Sequence, residues 1–303
     1  MENVQNNLEK SILATIAYFD VFDYPLTVGE IWKWLYSEKT EADSPTIGEI
    51  WKILENSQLL KSLVQSSRGF YFLKNREELL DIREARYILS LKKIKRARRV
   101  AGFLKFISGI KMIALCNSLA WTNAREESDI DFFIITEKSK IWTTRFWAAG
   151  FLQIFGLRPN KKNNKDKVCL SFFVDEESLD LEPLAVGEPD IYLIYWAAQL
   201  QPLFDRGGVY QKFWQANFWI KKFLPNIFPR DEAQKINKDR SREIGLGEKF
   251  FRWLQLKMLP KNLKEMVNRD SRVVITDKIL KFHTNDRREE YKKMWEEKLA
   301  KLL

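Results

Sequence analysis

Histidine and cysteine are nearly absent: the 303 residues include one His and two Cys. That scarcity excludes a zinc cluster of the His/Cys type and a disulfide framework, since both need more ligands or partners than the chain owns. Cys116 and Cys169 each stand beside apolar residues and read as free buried thiols. His283 sits in Leu280-Lys281-Phe282-His283-Thr284, and the sequence shows no acid–base partner for it, so it reads as structural. A secretion signal is missing as well, because MENVQNNLEK is polar and acidic where a basic start and an apolar run are needed. The most apolar stretch, Ile141 to Leu157, carries Arg145 and Gln153 and falls short of the roughly 20 residues of a membrane span. Internal repeats and low-complexity tracts are lacking too. The expectation is a soluble, cytoplasmic protein without a membrane partner. With 45% hydrophobic and 14% aromatic residues, it can bury a large core and is long enough for two or more domains.

Charge is plentiful but uneven. Residues 1–75 hold 7 Lys/Arg against 10 Asp/Glu, and residues 76–112 hold 11 against 4. Residues 113–229 hold 13 against 14, and residues 230–303 hold 20 against 13, for a net charge of +10. The basic character is thus confined to one connecting segment and the C-terminal region.

Residues 1–75 read as three helices and a hairpin. Leu8 to Phe19 is apolar at helical spacing, and Thr27 is placed to cap a helix over Val28 to Tyr36 with Glu30 three residues on. Ser44-Pro45 opens a third helix, Thr46 to Asn56, while Leu59–Val64 and Gly69–Leu73 flank Gln65 to Arg68 as a hairpin. The order resembles a winged helix, which implies a DNA reader with its third helix in the major groove. That helix carries Glu49, Lys52 and Glu55 in a net-negative segment, so sequence-specific DNA binding is disfavoured and a docking or regulatory module is expected.

Residues 76–110 read as a basic connecting helix. Tyr87, Leu91, Ile94, Ala101 and Leu104 recur at near-helical spacing, and Lys92 to Arg99 (KKIKRARR) is its dense basic run. The run reads as a solvated face, or as contact with a phosphate-rich partner such as RNA or the nucleotide itself, or with a protein partner.

The most informative stretch is KMIALCNSLAWTNAREESDIDFFIIT, residues 111–136. An apolar run ends in Asn117-Ser118, and Ser128-Asp129-Ile130-Asp131 leads into a second apolar run. Two residues apart at the head of a strand, Asp129 and Asp131 face the same side. Carboxylates held together this way need a cation, and an oxygen-only set suits Mg²⁺ or Mn²⁺.

This stretch resembles the signature of the DNA polymerase β-like nucleotidyltransferase superfamily, closest to its small-substrate branch: an apolar strand, Gly-Ser, a short helix, then Asp-x-Asp opening a strand. The resemblance implies an α/β (α+β) nucleotidyltransferase core with a small mixed sheet over residues 111–187. It implies Asp129 and Asp131 as catalytic, metal-holding carboxylates. It also implies Asn117, Ser118 and Ser128 as nucleotide-binding residues, with the triphosphate at a helix N-terminus. Mg²⁺ (or Mn²⁺) is the implied cofactor and a nucleoside triphosphate the implied substrate, its monophosphate passing to a hydroxyl of a small molecule, protein or RNA. Two positions depart from the pattern. Asn117 replaces the family glycine, and the third carboxylate falls at Ser171 in the predicted strand Val168 to Val174, with Asp175 roughly 13 Å further along. The departures keep a second reading open, a degenerate nucleotide-binding regulatory or antitoxin-like protein, and the winged helix keeps a third, a DNA-binding regulator.

Residues 188–303 are expected as a helical C-terminal region. Helices are predicted over Glu188–Leu200, Val209–Leu224 and Asn285–Leu303, with a loop at Gln201-Pro202 and Asp205 to Gly208. Trp196, Trp214 and Trp219 fall here, mostly as core, although the resemblance implies that helices after the core build an acceptor pocket.

Overall fold

The computed structural model of the protein describes residues 2–37, 44–160, 163–230, 234–236 and 247–303. It begins with α1 (Glu2–Asp20), the short strand β1 (Leu26–Thr27) and α2 (Val28–Lys33). Thr27 and Glu30 form the expected capping box: Glu30 N donates to Thr27 Oγ1 at 3.2 Å and Thr27 N to Glu30 Oε2 at 3.0 Å. Thr46 and Glu49 start α3 (Ile47–Asn56) in the same way. Ser57 Oγ then accepts from Leu60 N at 3.1 Å and caps α4 (Gln58–Leu63), so the segment predicted as the first hairpin strand is helical instead. The hairpin runs later, as β2 (Val64–Ser67) and β3 (Phe70–Leu73), turning on Arg68 and Gly69 at φ of 51° and 80°. That pair of positive φ angles matches the two-residue turn that strand twist favours. β1 pairs with β3 to complete a three-stranded sheet.

One long helix, α5 (Leu79–Leu104), follows. Its buried side takes Ile94, Ala97, Val100, Ala101 and Leu104, but also Ser90 and Lys93. Tyr87 and Leu91, predicted on the apolar face, are instead 46% and 48% exposed. The polar pair holds the inner positions because each has a bond to make there. Ser90 Oγ accepts from Ala124 N at 3.1 Å, and Lys93 donates to two carbonyl oxygens of the loop before Asp129 and to the carboxylate of Asp166.

The chain then builds a mixed sheet of seven strands. It enters through β4 (Ile110–Leu115), the single helical turn α6 (Asn117–Ala120), β5 (Ile130–Thr136), α7 (Ile141–Ile154) and β6 (Val168–Asp175). It continues through α8 (Ile191–Gln199), β7 (Gln201–Arg206), α9 (Val209–Ala216) and β8 (Gln234–Ile236). Then come α10 (Glu248–Lys257), α11 (Lys261–Met266), β9 (Val273–Ile275), β10 (Ile279–Phe282) and α12 (Arg288–Leu302). The strand order is β8-β7-β4-β5-β6-β10-β9, with β5 and β6 parallel and β4 antiparallel to both its neighbours. The reading of residues 188–303 as helical is therefore corrected: β7, β8, β9 and β10 flank the β4–β5–β6 core of the sheet. These strands are three to six residues long, too short to show a period, and Pro202 masked β7. It sits where the β4–β7 register shifts, a place in a sheet that tolerates the missing N–H.

β5 shows why the sheet is central. Phe132, Phe133, Ile134 and Ile135 are all fully buried. Phe133 and Ile135 face a core shared with α1, α8 and α12, while Phe132 and Ile134 face the core under α5 and α7. Alternation places Asp131 on the Phe133 side, toward α1, α8 and α12. The segments meet on that side: Trp295 Nε1 donates to Ala14 O at 2.9 Å and Lys298 pairs with Asp20 at 2.6 Å. No helix among the described residues is long and apolar enough to cross a membrane.

Candidate functional site

The turn from β4 into α6 sets the site. Asn117 has φ +55°, a conformation that glycine adopts freely and Asn tolerates better than most residues. Its side chain is then committed on both sides. Nδ2 donates to Asp131 Oδ2 at 2.8 Å, and Oδ1 accepts from Trp196 Nε1 at 2.8 Å and from Tyr192 OH at 3.5 Å. Ser118 follows in α6. α6 is a single turn of four residues with Cys116 as its N-cap and no side-chain cap.

Asp129, Asp131 and Cys169 converge, their ligand atoms all within 4.8 Å of one another. Asp131 pairs across the parallel β5–β6 ladder with Cys169. The register then shifts, so that Phe133 pairs with Phe172, and the extra residue in β6 is a bulge. The residue beside the two carboxylates is consequently Cys169 and not Ser171, which corrects the expected place of the third carboxylate. Asp175 lies at the opposite end of β6, where its carboxylate accepts from Ser139 N at 2.7 Å and Glu177 N at 2.9 Å. Cys116 and Cys169 are both free. The expectation of free buried thiols holds for Cys116, whereas Cys169 is only partly buried and stands beside Asp131, a position set by pairing between separate strands that local sequence does not show.

The electrostatics are those of compressed negative charge. Burial, and next the Asp129 charge, push Asp131 up from 3.8 to about 7, against hydrogen bonds from Asn117 and the Cys169 thiol. Burial also raises Asp129, against a backbone hydrogen bond and the Lys93 charge. Burial drives the Cys169 thiol far up, with Asp131 adding to it, so Cys169 is a neutral donor to Asp131. Neither carboxylate makes an ion pair among the described residues. Lys93 acts on the site as an anchor. Its Nζ donates to Glu126 O at 3.0 Å, Ser128 O at 2.7 Å and Asp166 Oδ1 at 2.7 Å, which fixes the turn that delivers Asp129. Ser128 turns its hydroxyl back to Arg125 O at 2.8 Å. The basic run is thus divided: Lys93 is buried, while Lys92, Lys95, Arg98 and Arg99 are exposed.

His283 does have a partner. Its Nε2 shares a 3.0 Å hydrogen bond with Ser171 Oγ, the residue displaced by the bulge. Burial, with Lys281 and Arg288 nearby, holds the imidazole down at about 4, so it is neutral at pH 7. The two residues lie 112 positions apart in the chain, which hides the pair from sequence reasoning.

Asn117 and Ser118 also face a cavity of about 270 Å³. Its walls come from α1 (Tyr18, Phe22), from Trp121, from α8 (Tyr192, Trp196, Gln199) and from α12 (Tyr291). Of the three tryptophans singled out after the core, Trp196 lines this cavity, Trp214 is core, and Trp219 packs at the core's edge. The residues of α1 and α12 carry no chemical motif, and helical periodicity alone marked them only as apolar. No protein family, curated protein or solved structure was found to match the chain.

Proposed function

We propose that the chain is a metal-dependent nucleotidyltransferase of the DNA polymerase β-like kind, moving a nucleoside monophosphate from a nucleoside triphosphate to a hydroxyl of a small molecule, protein or RNA. The observation that carries this reading is the Asp129–Asp131 pair, two carboxylates with ligand atoms within 4.8 Å and no ion pair among the described residues. Their oxygens fit Mg²⁺ or Mn²⁺, whereas the thiol of Cys169 is a poor partner for a hard cation. Asp129 and Asp131 would hold the metal, which supplies charge neutralisation at the phosphoryl oxygens and the leaving pyrophosphate. The other residues orient. Asn117 and Cys169 fix the Asp131 carboxylate, Lys93 fixes the turn carrying Asp129, and Ser118 offers its hydroxyl at the cavity edge. In this reading the N-terminal module docks onto the core through α1 and is no DNA reader, and the exposed residues Lys92, Lys95, Arg98 and Arg99 are the surface for an RNA or protein partner.

A second reading has its own observation. The position of the third carboxylate holds a neutral thiol, which cannot take the proton of an attacking hydroxyl, and this favours a nucleotide-binding regulatory or antitoxin-like protein. One experiment separates them: thermal unfolding with Mg²⁺ or Mn²⁺, with and without each nucleoside triphosphate, followed by assay of pyrophosphate release. We expect a metal-dependent stabilisation of about 2.7 kcal/mol at a hundredfold excess over Kd, lost in Asp131→Asn. Stabilisation with pyrophosphate release supports the transferase, and stabilisation without release supports the binding protein. Failure of every triphosphate to stabilise the protein overturns both.

A further inference from the structure

Ser171 and His283 lie near the carboxylates and have no task in the reading above. They share the Asp131 side of the sheet. Asp131 is on the same face of β5 as Phe133, whose ring meets Phe172 at 5.1 Å, and Phe172 meets the His283 ring at 5.9 Å. Polar contacts connect the two places. The Cys169 sulfur lies within 4.8 Å of oxygens of Asp129 and Asp131, and the same thiol hydrogen-bonds with Ser171. Ser171 Oγ in turn shares its 3.0 Å bond with His283 Nε2. Both residues keep part of their surface exposed. A serine hydroxyl is a weak nucleophile until a base stands ready for its proton. A neutral imidazole at hydrogen-bond distance is such a base, and burial, with the Lys281 charge, keeps this one neutral at pH 7. No carboxylate of β6 is at hand for that task, since Asp175 is held by Ser139 N at the strand's far end. A Ser–His contact is often plain packing. This one is set apart by its place, one thiol away from the two carboxylates.

We propose that the chain modifies itself, transferring a nucleoside monophosphate to the hydroxyl of its own Ser171 with His283 as the general base. The proposal rests on the nucleotidyltransferase reading, because the triphosphate has to be held at Asp129 and Asp131. In the step, Ser171 Oγ forms a bond to the α-phosphorus as the bond from that phosphorus to the pyrophosphate oxygen breaks. Pyrophosphate leaves with the electron pair of the broken bond. The Ser171 proton passes to His283 Nε2, and the imidazolium then returns it to solvent. The product is one phosphodiester per chain, after which Ser171 is consumed. The neutral Cys169 thiol is not asked to take a proton at any point.

The test is intact-mass spectrometry of the full chain, acid-quenched after incubation with Mg²⁺ or Mn²⁺ and ATP, GTP, CTP or UTP in turn. Thermal unfolding of the same mixtures runs beside it. With at least one triphosphate the chain should gain the mass of one nucleoside monophosphate, which peptide mapping places on Ser171. Ser171→Ala should gain nothing while the triphosphate still stabilises it, which separates lost chemistry from lost folding. His283→Gln keeps a hydrogen-bonding side chain beside Ser171 but cannot carry a proton away. It should therefore gain the nucleotide at least about a hundredfold more slowly, whereas a merely structural role for His283 would survive the replacement. Three results overturn the inference and leave the nucleotide site standing: stabilisation by a triphosphate without mass gain, a gain mapped to another residue, or an unslowed His283→Gln. Stabilisation by no triphosphate overturns the nucleotidyltransferase reading itself, and the self-modification falls with it.

Discussion

Two groups of acidic side chains lie on the α8–α12 side of the sheet, and their charge is balanced in opposite ways. Asp190 and Asp286 share the guanidinium of Arg288, at 2.8 Å and 2.7 Å, and Lys281 stands 3.6 Å from Asp286. Burial raises Asp286, but hydrogen bonds and charge from Arg288, with help from Lys281, outweigh it and leave the carboxyl below its ordinary range. Among the described residues Asp129 and Asp131 have no cation within ion-pair distance, and Asp131 rises to about 7. The first group closes its own account within the fold and attaches α12. The second leaves negative charge uncompensated, as a site does when its countercharge arrives with a ligand.

The sharpest way to break this comparison is to unbalance the first group. Arg288 Nη1 also donates to Leu184 O at 2.9 Å, and Arg288 lies 7% exposed at the start of α12. Arg288→Ala strands two buried carboxylates and should cost about 3–5 kcal/mol, read by urea unfolding. A cost below about 1 kcal/mol would mean that the network is decoration and that the contrast with Asp129–Asp131 has no energetic content.

Next in size is the anchor between the basic helix and the site. Lys93→Met keeps the buried stem and removes three charge-assisted hydrogen bonds, at an expected cost of about 2 kcal/mol. Because those bonds hold the 126–128 turn, the variant should also lose metal-dependent stabilisation by the triphosphate. Lys93→Met with full stability and an unchanged metal response would reduce Lys93 to one more member of the basic run.

Lys93 also marks the limit of what the sequence makes legible. Local signals carried far: the Thr27–Glu30 capping box, the long helix, β4 and β5 around the Asp129–Asp131 motif, and the parity of its two carboxylates are written in neighbouring residues. What failed was non-local. A lysine inside KKIKRARR looks like its neighbours until the two loops it binds are folded beside it, 33 and 73 residues further on. The bulge that exchanges Ser171 for Cys169 depends on how β6 meets β5, and the four strands added after residue 200 are too short to carry a period. The cavity is the extreme case, since its walls come from four distant segments and only the one with Asn117 and Ser118 belongs to a motif.

The smallest effect is the most specific to the second group. In the metal-free protein Asp131 titrates near 7 when folded, against an ordinary 3.8. Between those values the folded state binds more protons than the unfolded one, so Asp131 contributes stability at low pH that is lost as pH rises toward 7. Asp131→Asn removes that loss. It should therefore be more stable than the wild type at pH 8 by at least about 1.4 kcal/mol, the worth of one pH unit, with the gain vanishing near pH 4. His283 works in the opposite direction. Held down at about 4 from 6.5, it binds fewer protons when folded, so its contribution is present above 6.5 and lost as pH falls toward 4. In the wild type the two slopes oppose each other between pH 4 and 6.5. In Asp131→Asn the Asp131 slope is gone while the raised Asp129 still opposes His283, so stability should change more favourably with rising pH through that window than in the wild type. Unfolding curves for the two proteins at pH 4, 6 and 8, with chelator present, decide it. Parallel pH profiles would show that Asp131 carries no strain from its neighbour, and the contrast between the two groups of acids would fail at the residue on which it most depends.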